Sequence, residues 1–205
     1  MLVHSVLDLL AGYLIGSIPT AFLVVKRTAG VDIRQSGSGN VGGFNAFKAT
    51  SSKSVGYLVG VLDGVKGLAA VFVAGLTGEL VSLQMLALFG AVLGHNYPVW
   101  LRFKGGRGLA TACGGLFLIG VSYPAVWCTL WVLVYLLRKD ILFANVLSLV
   151  LTPIILFLMP EVFVSRLMTS SMQPLPYIEY LTVLSLVLLV SHVDAVKSFL
   201  KPTIE

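Results

Sequence analysis

Residues 109–139 read LATACGGLFLIGVSYPAVWCTLWVLVYLLRK, and the topology of the whole chain turns on whether this stretch crosses a membrane once or twice. Its apolar character is interrupted at Ser122-Tyr123-Pro124, so it is either one long broken helix or two short spans, residues 109–121 and 124–137. Further apolar runs occupy residues 3–25, 55–76, 80–93, 141–159 and 177–193. A helical crossing takes about 20 residues, so 80–93 and each half of the central stretch are short for one.

Charge separates the alternatives. With two spans, Lys26, Arg27, Arg34, Lys48, Lys53, Arg102, Lys104, Arg107, Arg138, Lys139, Lys197 and Lys201 all fall on one side, Arg166 falls on the other, and Lys66 lies within a span. With one span, Arg138 and Lys139 cross to the opposite face and the bias weakens. Cytoplasmic loops collect Lys and Arg. The expected protein is therefore all-α and integral to the membrane: a seven-span helical bundle, N-terminus outside (periplasmic in a bacterium), C-terminus cytoplasmic, forming one membrane domain over residues 1–205.

Composition agrees, with 57% of the 205 residues hydrophobic and 11% charged, against about 25% charged in soluble domains. A net charge of +5 would suit nucleic acid, but the basic residues sit in short stretches between apolar runs, so no nucleic-acid partner is expected. Cys113 and Cys128 lie inside apolar runs without metal or disulfide spacing and read as buried thiols. Lys26 and Arg27 follow the first run and no basic residue precedes it, the order of a retained span and not of a cleavable signal. Only a short polar tail follows the last run, so no soluble domain is expected.

Two glycine-rich loops interrupt this pattern: Ser36-Gly37-Ser38-Gly39-Asn40-Val41-Gly42-Gly43 and Phe103-Lys104-Gly105-Gly106-Arg107-Gly108. Gly37-x-Gly39-x-x-Gly42 formally matches a dinucleotide fingerprint, but that motif has meaning only after a strand in a βαβ unit. Neither loop reads GxxxxGK[ST]. What survives is local chemistry, since bare backbone N–H groups beside cations cradle phosphate. Ser36, Ser38, Asn40 and Asn45 add donors to the first loop, and Arg102, Lys104 and Arg107 add charge to the second. A flexible polar connector would also account for the first loop. A positive-inside anchor would account for the charge of the second, though not for Gly105, Gly106 and Gly108. The predicted topology brings both loops, and the His192 end of the last span, to the cytoplasmic face.

Asp63 and Lys66 are three apart, so they share a helix face and can pair. Intramembrane ionisable groups face the bundle interior or a polar cavity, and a structural pair and a substrate contact both remain open. His95, before Pro98, and His192, beside Asp194, read as helix-end or interfacial residues or as members of a site. No His-x4-Asp box occurs, because the fifth residues after His4, His95 and His192 are Leu9, Trp100 and Lys197. No Ser-His-Asp or Cys-His set and no cluster of Asp residues is evident, so neither a metal nor another cofactor is expected. The chain is equipped to bind phosphates without a conventional covalent intermediate.

Taken together, Tyr13-Leu14-Ile15-Gly16-Ser17-Ile18-Pro19, Gly37-Ser38-Gly39-Asn40-Val41-Gly42, Asp63-Gly64-Val65-Lys66-Gly67, Gly94-His95-Asn96-Tyr97-Pro98 and Phe103-Lys104-Gly105-Gly106-Arg107-Gly108-Leu109-Ala110-Thr111 resemble the acyl-phosphate:glycerol-3-phosphate acyltransferases of bacterial inner membranes, the PlsY family. Ser148-Leu149 and Pro153 look like a degraded third motif. The resemblance implies seven spans, a cytoplasmic active site, and transfer of a fatty acyl group from acyl phosphate to the 1-hydroxyl of glycerol 3-phosphate, giving lysophosphatidic acid and phosphate. It implies catalytic roles for Ser38, Asn40 and Arg107. Substrate phosphate would be held by Ser36, Gly37, Gly39, Gly42, Asn45, Lys48, Lys104, Gly105, Gly106 and His192, with Asp63, Lys66 and His95 as structural or pocket residues.

The chain departs from the family pattern where Gly42-Gly43-Phe44-Asn45 replaces the usual Gly-Ala-Thr-Asn, and where Lys48 and Lys197 stand at expected Arg positions. Ala195 replaces an expected Asn. Lys48 keeps charge but loses the bidentate fork. These changes keep open a diverged paralogue that binds a phosphorylated lipid or metabolite without efficient acyl transfer; a small transporter is a third reading, resting on Asp63 and Lys66. Cysteine-accessibility labelling is expected to place residues 102–107 and 138–140 on the same face. Label reaching 138–140 from outside while 102–107 stay inside would demand a single central span.

Overall fold

The computed structural model describes residues 2–77, 80–169 and 171–200, without the side chains of Leu2, Ala195, Ser198, Phe199 and Leu200. The expectations on Ala195 and Lys201 therefore lie outside what it describes. The described residues form helices and no strand: α1 Leu2–Gly16, α2 Thr20–Ala29, α3 Gly43–Thr50, α4 Lys53–Thr77, α5 Val81–Asn96, α6 Leu109–Ile119, α7 Ser122–Arg138, α8 Ile141–Leu158, α9 Glu161–Arg166, α10 Pro174–Val190 and α11 Val193–Leu200. Three are long and apolar enough to cross a membrane, namely Val3–Ala29 taken as one run, Lys53–Thr77 and Ile141–Leu158. Large apolar side chains such as Phe72, Leu76, Phe157 and Leu158 are exposed on them, as lipid contact requires.

The chain divides into two compact units, one ending at Leu118 and one beginning at Ile119. In the first, α1 packs on α5 by backbone-to-backbone approach. A Cβ at Gly12 or Gly16 would lie 2.0 Å from the carbonyl oxygen of Ala87 or Ala91 respectively, and one at Gly90 or Gly94 would lie 2.1 or 2.2 Å from that of Leu9 or Tyr13. Each helix thus offers a Gly-x-x-x-Gly stripe to the other, the spacing that lets membrane helices gain dispersion contact where no hydrophobic effect drives them together. The same device joins α4 to α6, where a Cβ at Gly67 would meet Thr111 O at 1.8 Å and one at Gly114 would meet Gly64 O at 1.9 Å.

The first apolar run is not one continuous helix. It breaks at Ser17-Ile18-Pro19, because Pro19 has no N–H to give to the preceding turn. The break is closed by side chains from elsewhere in the unit: Trp100 Nε1 donates to Ser17 Oγ at 3.0 Å, and Lys66 Nζ donates to Ile18 O at 3.0 Å. Tyr13 Oη, one turn earlier, donates to Tyr97 O at 2.8 Å.

The central stretch resolves as two helices, α6 closing the first unit and α7 opening the second, parted at Gly120 and Val121, just before the Ser-Tyr-Pro interruption. Pro124 falls in the first turn of α7, where its missing N–H costs no helical bond. The backbone at the break is bonded by Val121 N to Leu167 O at 2.8 Å and Thr169 N to Ile119 O at 3.1 Å, while Tyr177 Oη donates to Gly120 O at 3.1 Å. α8 packs against α7 and α10, with Trp131 Nε1 donating to Asn145 Oδ1 at 2.7 Å and Tyr123 Oη hydrogen-bonded to Ser185 Oγ. The expectation of buried thiols fails for Cys128, which is exposed, while Cys113 is half-buried; an apolar run does not reveal which face of its helix turns outward.

Gly67→Ala drives a methyl into the Thr111 carbonyl, and overpacking of this kind costs about 1–3 kcal/mol. A thermal unfolding midpoint lowered by several degrees in detergent is expected, against little change for Ala at Gly60, whose Cβ would meet nothing within 4 Å.

Candidate active site

The first glycine loop begins from a locked turn. Asp32 caps the short 3-10 turn Ile33–Gln35 by accepting from Arg34 N at 3.0 Å, and the Arg34 guanidinium grips the same carboxylate at 2.6 Å while lying 5.1 Å over the Phe22 ring. The Arg34 side-chain bond holds the Asp32 carboxyl down to about 2, below its ordinary 3.8. Its contribution to turn stability is therefore complete above about pH 4 and is lost as pH falls through about 2.

Beyond the turn, Gly37 and Gly39 take the left-handed conformation, φ 56° and 72°. The loop closes around one side chain. Asn45, 1% exposed, accepts from Ser38 N at 3.1 Å and shares its Nδ2 hydrogens among the carbonyls of Ser36 at 2.9 Å, Asn40 at 3.0 Å and Ile33 at 3.2 Å. The loop is thus no slack connector. Both Ser36 and Asn45, expected from the sequence to hold substrate phosphate, make bonds within the loop: the Asn45 amide is engaged as described, and the Ser36 hydroxyl donates to Asp32 O at 3.2 Å. Ser38 is exposed and Asn40 half-buried, with Ser38 Oγ accepting from Asn40 N at 3.4 Å. Lys48 is exposed on α3, its Nζ 4.8 Å over the ring of Phe44 one turn earlier.

The second loop docks on the C-terminal end of α5, whose last carbonyls have no helical partner. Gly106 N donates to His95 O at 3.0 Å and Gly105 N to Asn96 O at 3.1 Å. Both glycines are sterically required: a Cβ at Gly105 would lie 2.1 Å from His95 O, and one at Gly106 would lie 2.0 Å from His95 Nε2. Gly105 O in turn accepts from Val41 N at 3.2 Å, so the two loops are laced together. Arg102 and Phe103, immediately before Lys104, both hold positive φ (54° and 61°), a strain of roughly 1–2 kcal/mol per residue. It is offset by bonds from Phe103 N to Pro98 O at 3.0 Å and Lys104 N to Leu101 O at 3.2 Å. Lys104 is exposed and Arg107 half-buried.

Beneath the loops, Asp63 and Lys66 pair at 2.9 Å. Thr20 Oγ1 donates to the Asp63 carboxylate, and His95 Nδ1 lies 3.1 Å from Lys66 Nζ and 3.5 Å from Asp63 Oδ1. All three ionisable groups are buried. Sequence reasoning missed Tyr13, Ser17, Thr20 and Trp100 as parts of this support, although their proximity to Pro19 and Pro98 was the available signal. It also missed Asn96, whose side-chain amide is buried with no hydrogen-bond partner among the described residues. His192 belongs to the second unit, in the joint between α10 and α11. It is fully buried, with Nδ1 2.8 Å from Leu188 O. On α8, Ser148 and Thr152 are also fully buried, and Thr152 Oγ1 donates to Ser148 O at 2.7 Å.

The fold and this loop pair define an all-helical membrane protein carrying a stapled, glycine-rich polar site. A family model described as glycerol-3-phosphate acyltransferase matches residues 6–202, and the chain belongs to that family. A glycerol-3-phosphate acyltransferase of Synechococcus sp. (strain JA-2-3B'a(2-13)) is 35% identical over 85% of this chain and 80% of its own length. One from Rhodopseudomonas palustris (strain HaA2) is 40% identical over 73% of this chain and 75% of its own. Among solved structures, PlsY, an integral membrane glycerol 3-phosphate acyltransferase, matches in its glycerol 3-phosphate form with TM-score 0.78 and 27% identity, covering 96% of this chain and 92% of that one. Its lysophosphatidic acid form matches with TM-score 0.76 and 28% identity, covering 96% and 91%.

If Asn45 is the staple, Asn45→Ala strips the side-chain partner from Ser38 N and Asn40 O, while Ile33 O and Ser36 O keep the amides of Ser36 and Gly39; polar groups left unsatisfied in this way cost about 1–3 kcal/mol. Hydrogen exchange at the Ser38 amide is expected to speed up at least tenfold, with exchange in the middle of α4 little changed.

Proposed function

We propose that this chain transfers a fatty acyl group from acyl phosphate to the 1-hydroxyl of glycerol 3-phosphate, releasing lysophosphatidic acid and inorganic phosphate. The observation that carries the reading is the Val41–Gly105 bond, which joins two loops rich in phosphate donors into one rigid surface. Such rigidity is what the chemistry asks for. The mixed anhydride is already activated, so bringing the hydroxyl oxygen to the acyl carbon and stabilising the departing phosphate can supply much of the rate. In this reading Ser38 and Asn40 orient the reacting phosphate, and Lys104 and Arg107 offset its developing charge. The backbone of Gly37, Gly39, Gly42, Gly105 and Gly106 leaves room for its approach. His192 keeps the role that the family resemblance implies, binding glycerol 3-phosphate. The same reading places the chain as one seven-span domain in a bacterial inner membrane, with the N-terminus outside and the loops in the cytoplasm.

One observation favours a second reading, a diverged member that binds phosphorylated ligands but transfers poorly. Phe44 is 49% exposed beside the loop and holds Lys48 over its ring, an attraction worth about 0.5–1 kcal/mol at an exposed site. A transporter loses its motive, because Asp63 and Lys66 are engaged with each other and with the helix break.

Protein reconstituted with acyl phosphate and glycerol 3-phosphate is expected to make lysophosphatidic acid. Arg107→Ala should lower the rate about 100-fold, the scale of losing one charge-stabilising donor; Ser38→Ala should also lower it, and Arg107→Lys should be milder than Arg107→Ala. Well-folded wild-type protein that makes no product, combined with product from Phe44→Thr/Lys48→Arg, would decide for the diverged reading.

A further inference from the structure

His95 joins two parts of the first unit that the proposed reaction does not by itself connect. On one side of its ring, Nδ1 faces Lys66 Nζ and Asp63 Oδ1 at 3.1 and 3.5 Å, and through them the break between α1 and α2. On the other, the ring edge lies against the second loop. A Cβ on Gly106 would sit 2.0 Å from His95 Nε2, 2.9 Å from Cδ2 and 2.7 Å from Val41 O, so ring, second loop and first loop converge on one point. The same histidine's carbonyl accepts the Gly106 amide. The nitrogen on the opposite edge, Nε2, is the one turned toward Gly106.

We propose that His95 is a positioning residue for the acyl transfer: a rigid, planar spacer that transmits the fixed position of the buried Asp63–Lys66 pair to the seam of the two loops. It thereby sets the distance between the Ser38–Asn40 side of the site and the Lys104–Arg107 side. This inference rests on the acyltransferase reading above. The ring suits the task because both its edges are engaged at once and it has few rotatable bonds to order. The absence of any side chain at Gly106 gives the ring its room. A misplacement of about 1 Å in such a frame is enough to lower a rate by about 100-fold.

The two edges can be separated chemically, since the amide of Asn overlays Nδ1 and that of Gln overlays Nε2. In full-length reconstituted protein, His95→Asn keeps a polar partner for Lys66 but leaves the loop seam unsupported. Its unfolding midpoint is expected near that of wild type, with the apparent KM for glycerol 3-phosphate or acyl phosphate raised and kcat/KM lowered at least tenfold. Amide exchange at Val41, Gly105 and Gly106 should accelerate at least tenfold while α4 stays protected. His95→Gln should recover part of both, and serves for the same measurements if the Asn variant does not fold. Wild-type kinetics and wild-type exchange in His95→Asn would overturn the proposal. So would a loss of active protein in step with stability while KM and loop exchange stay unchanged. Wild-type protein that makes no product sinks the acyltransferase reading instead, and the exchange measurement then still decides whether His95 supports the seam.

Discussion

The buried pair of Asp63 and Lys66 is the constraint on which the first unit depends. A carboxylate and an ammonium inside a membrane-spanning helix are tolerated only when paired and hydrogen-bonded. This pair binds Thr20, the Ile18 carbonyl and His95 as well as itself. Removing one member of such a pair typically costs about 3–5 kcal/mol, because the other is left charged and alone. The polar groups exposed by breaking the first apolar run at Pro19 are what the pair satisfies, so the break and the ions require each other. Either one alone would be a defect in lipid.

Around that centre the glycines set distance and the loops inherit it. α1 approaches α5, and α4 approaches α6, closely enough that a single methyl would strike a carbonyl. This brings the end of α5 to a place where its unpaired carbonyls can receive the second glycine loop. The second loop receives the first through Val41, and Asn45 closes the first upon itself. The donors left facing outward, among them Ser38 and Lys104, stand on backbone that is bonded in several directions. That is the physical difference between a built loop site and a polar linker of the same composition.

Much of this was legible beforehand. The apolar runs mark where the helices form, including the division of residues 109–137, because a stretch of Leu, Val and Ile with Gly or Pro at its ends has few other ways to satisfy its backbone. The glycine loops and the three-residue spacing of Asp63 and Lys66 were equally visible. The break at Pro19 was not, since hydropathy averages over a missing hydrogen bond. Nor were the inward roles of Ser36 and Asn45, because a polar side chain in a loop has the same composition whether it serves a ligand or its own backbone.

By itself, then, the sequence determined an all-helical membrane protein with two basic, glycine-rich loops and two opposite charges on one helix face, since hydrophobicity, charge and helical spacing are local properties. Tertiary structure alone decided which helices the glycines bring together, what the ions bind, which loop donors turn inward, and that His95 touches both the pair and the loop seam. These depend on contacts between residues far apart in the chain, such as Lys66 with Ile18 and Val41 with Gly105. No local pattern encodes such partners; only close packing selects them.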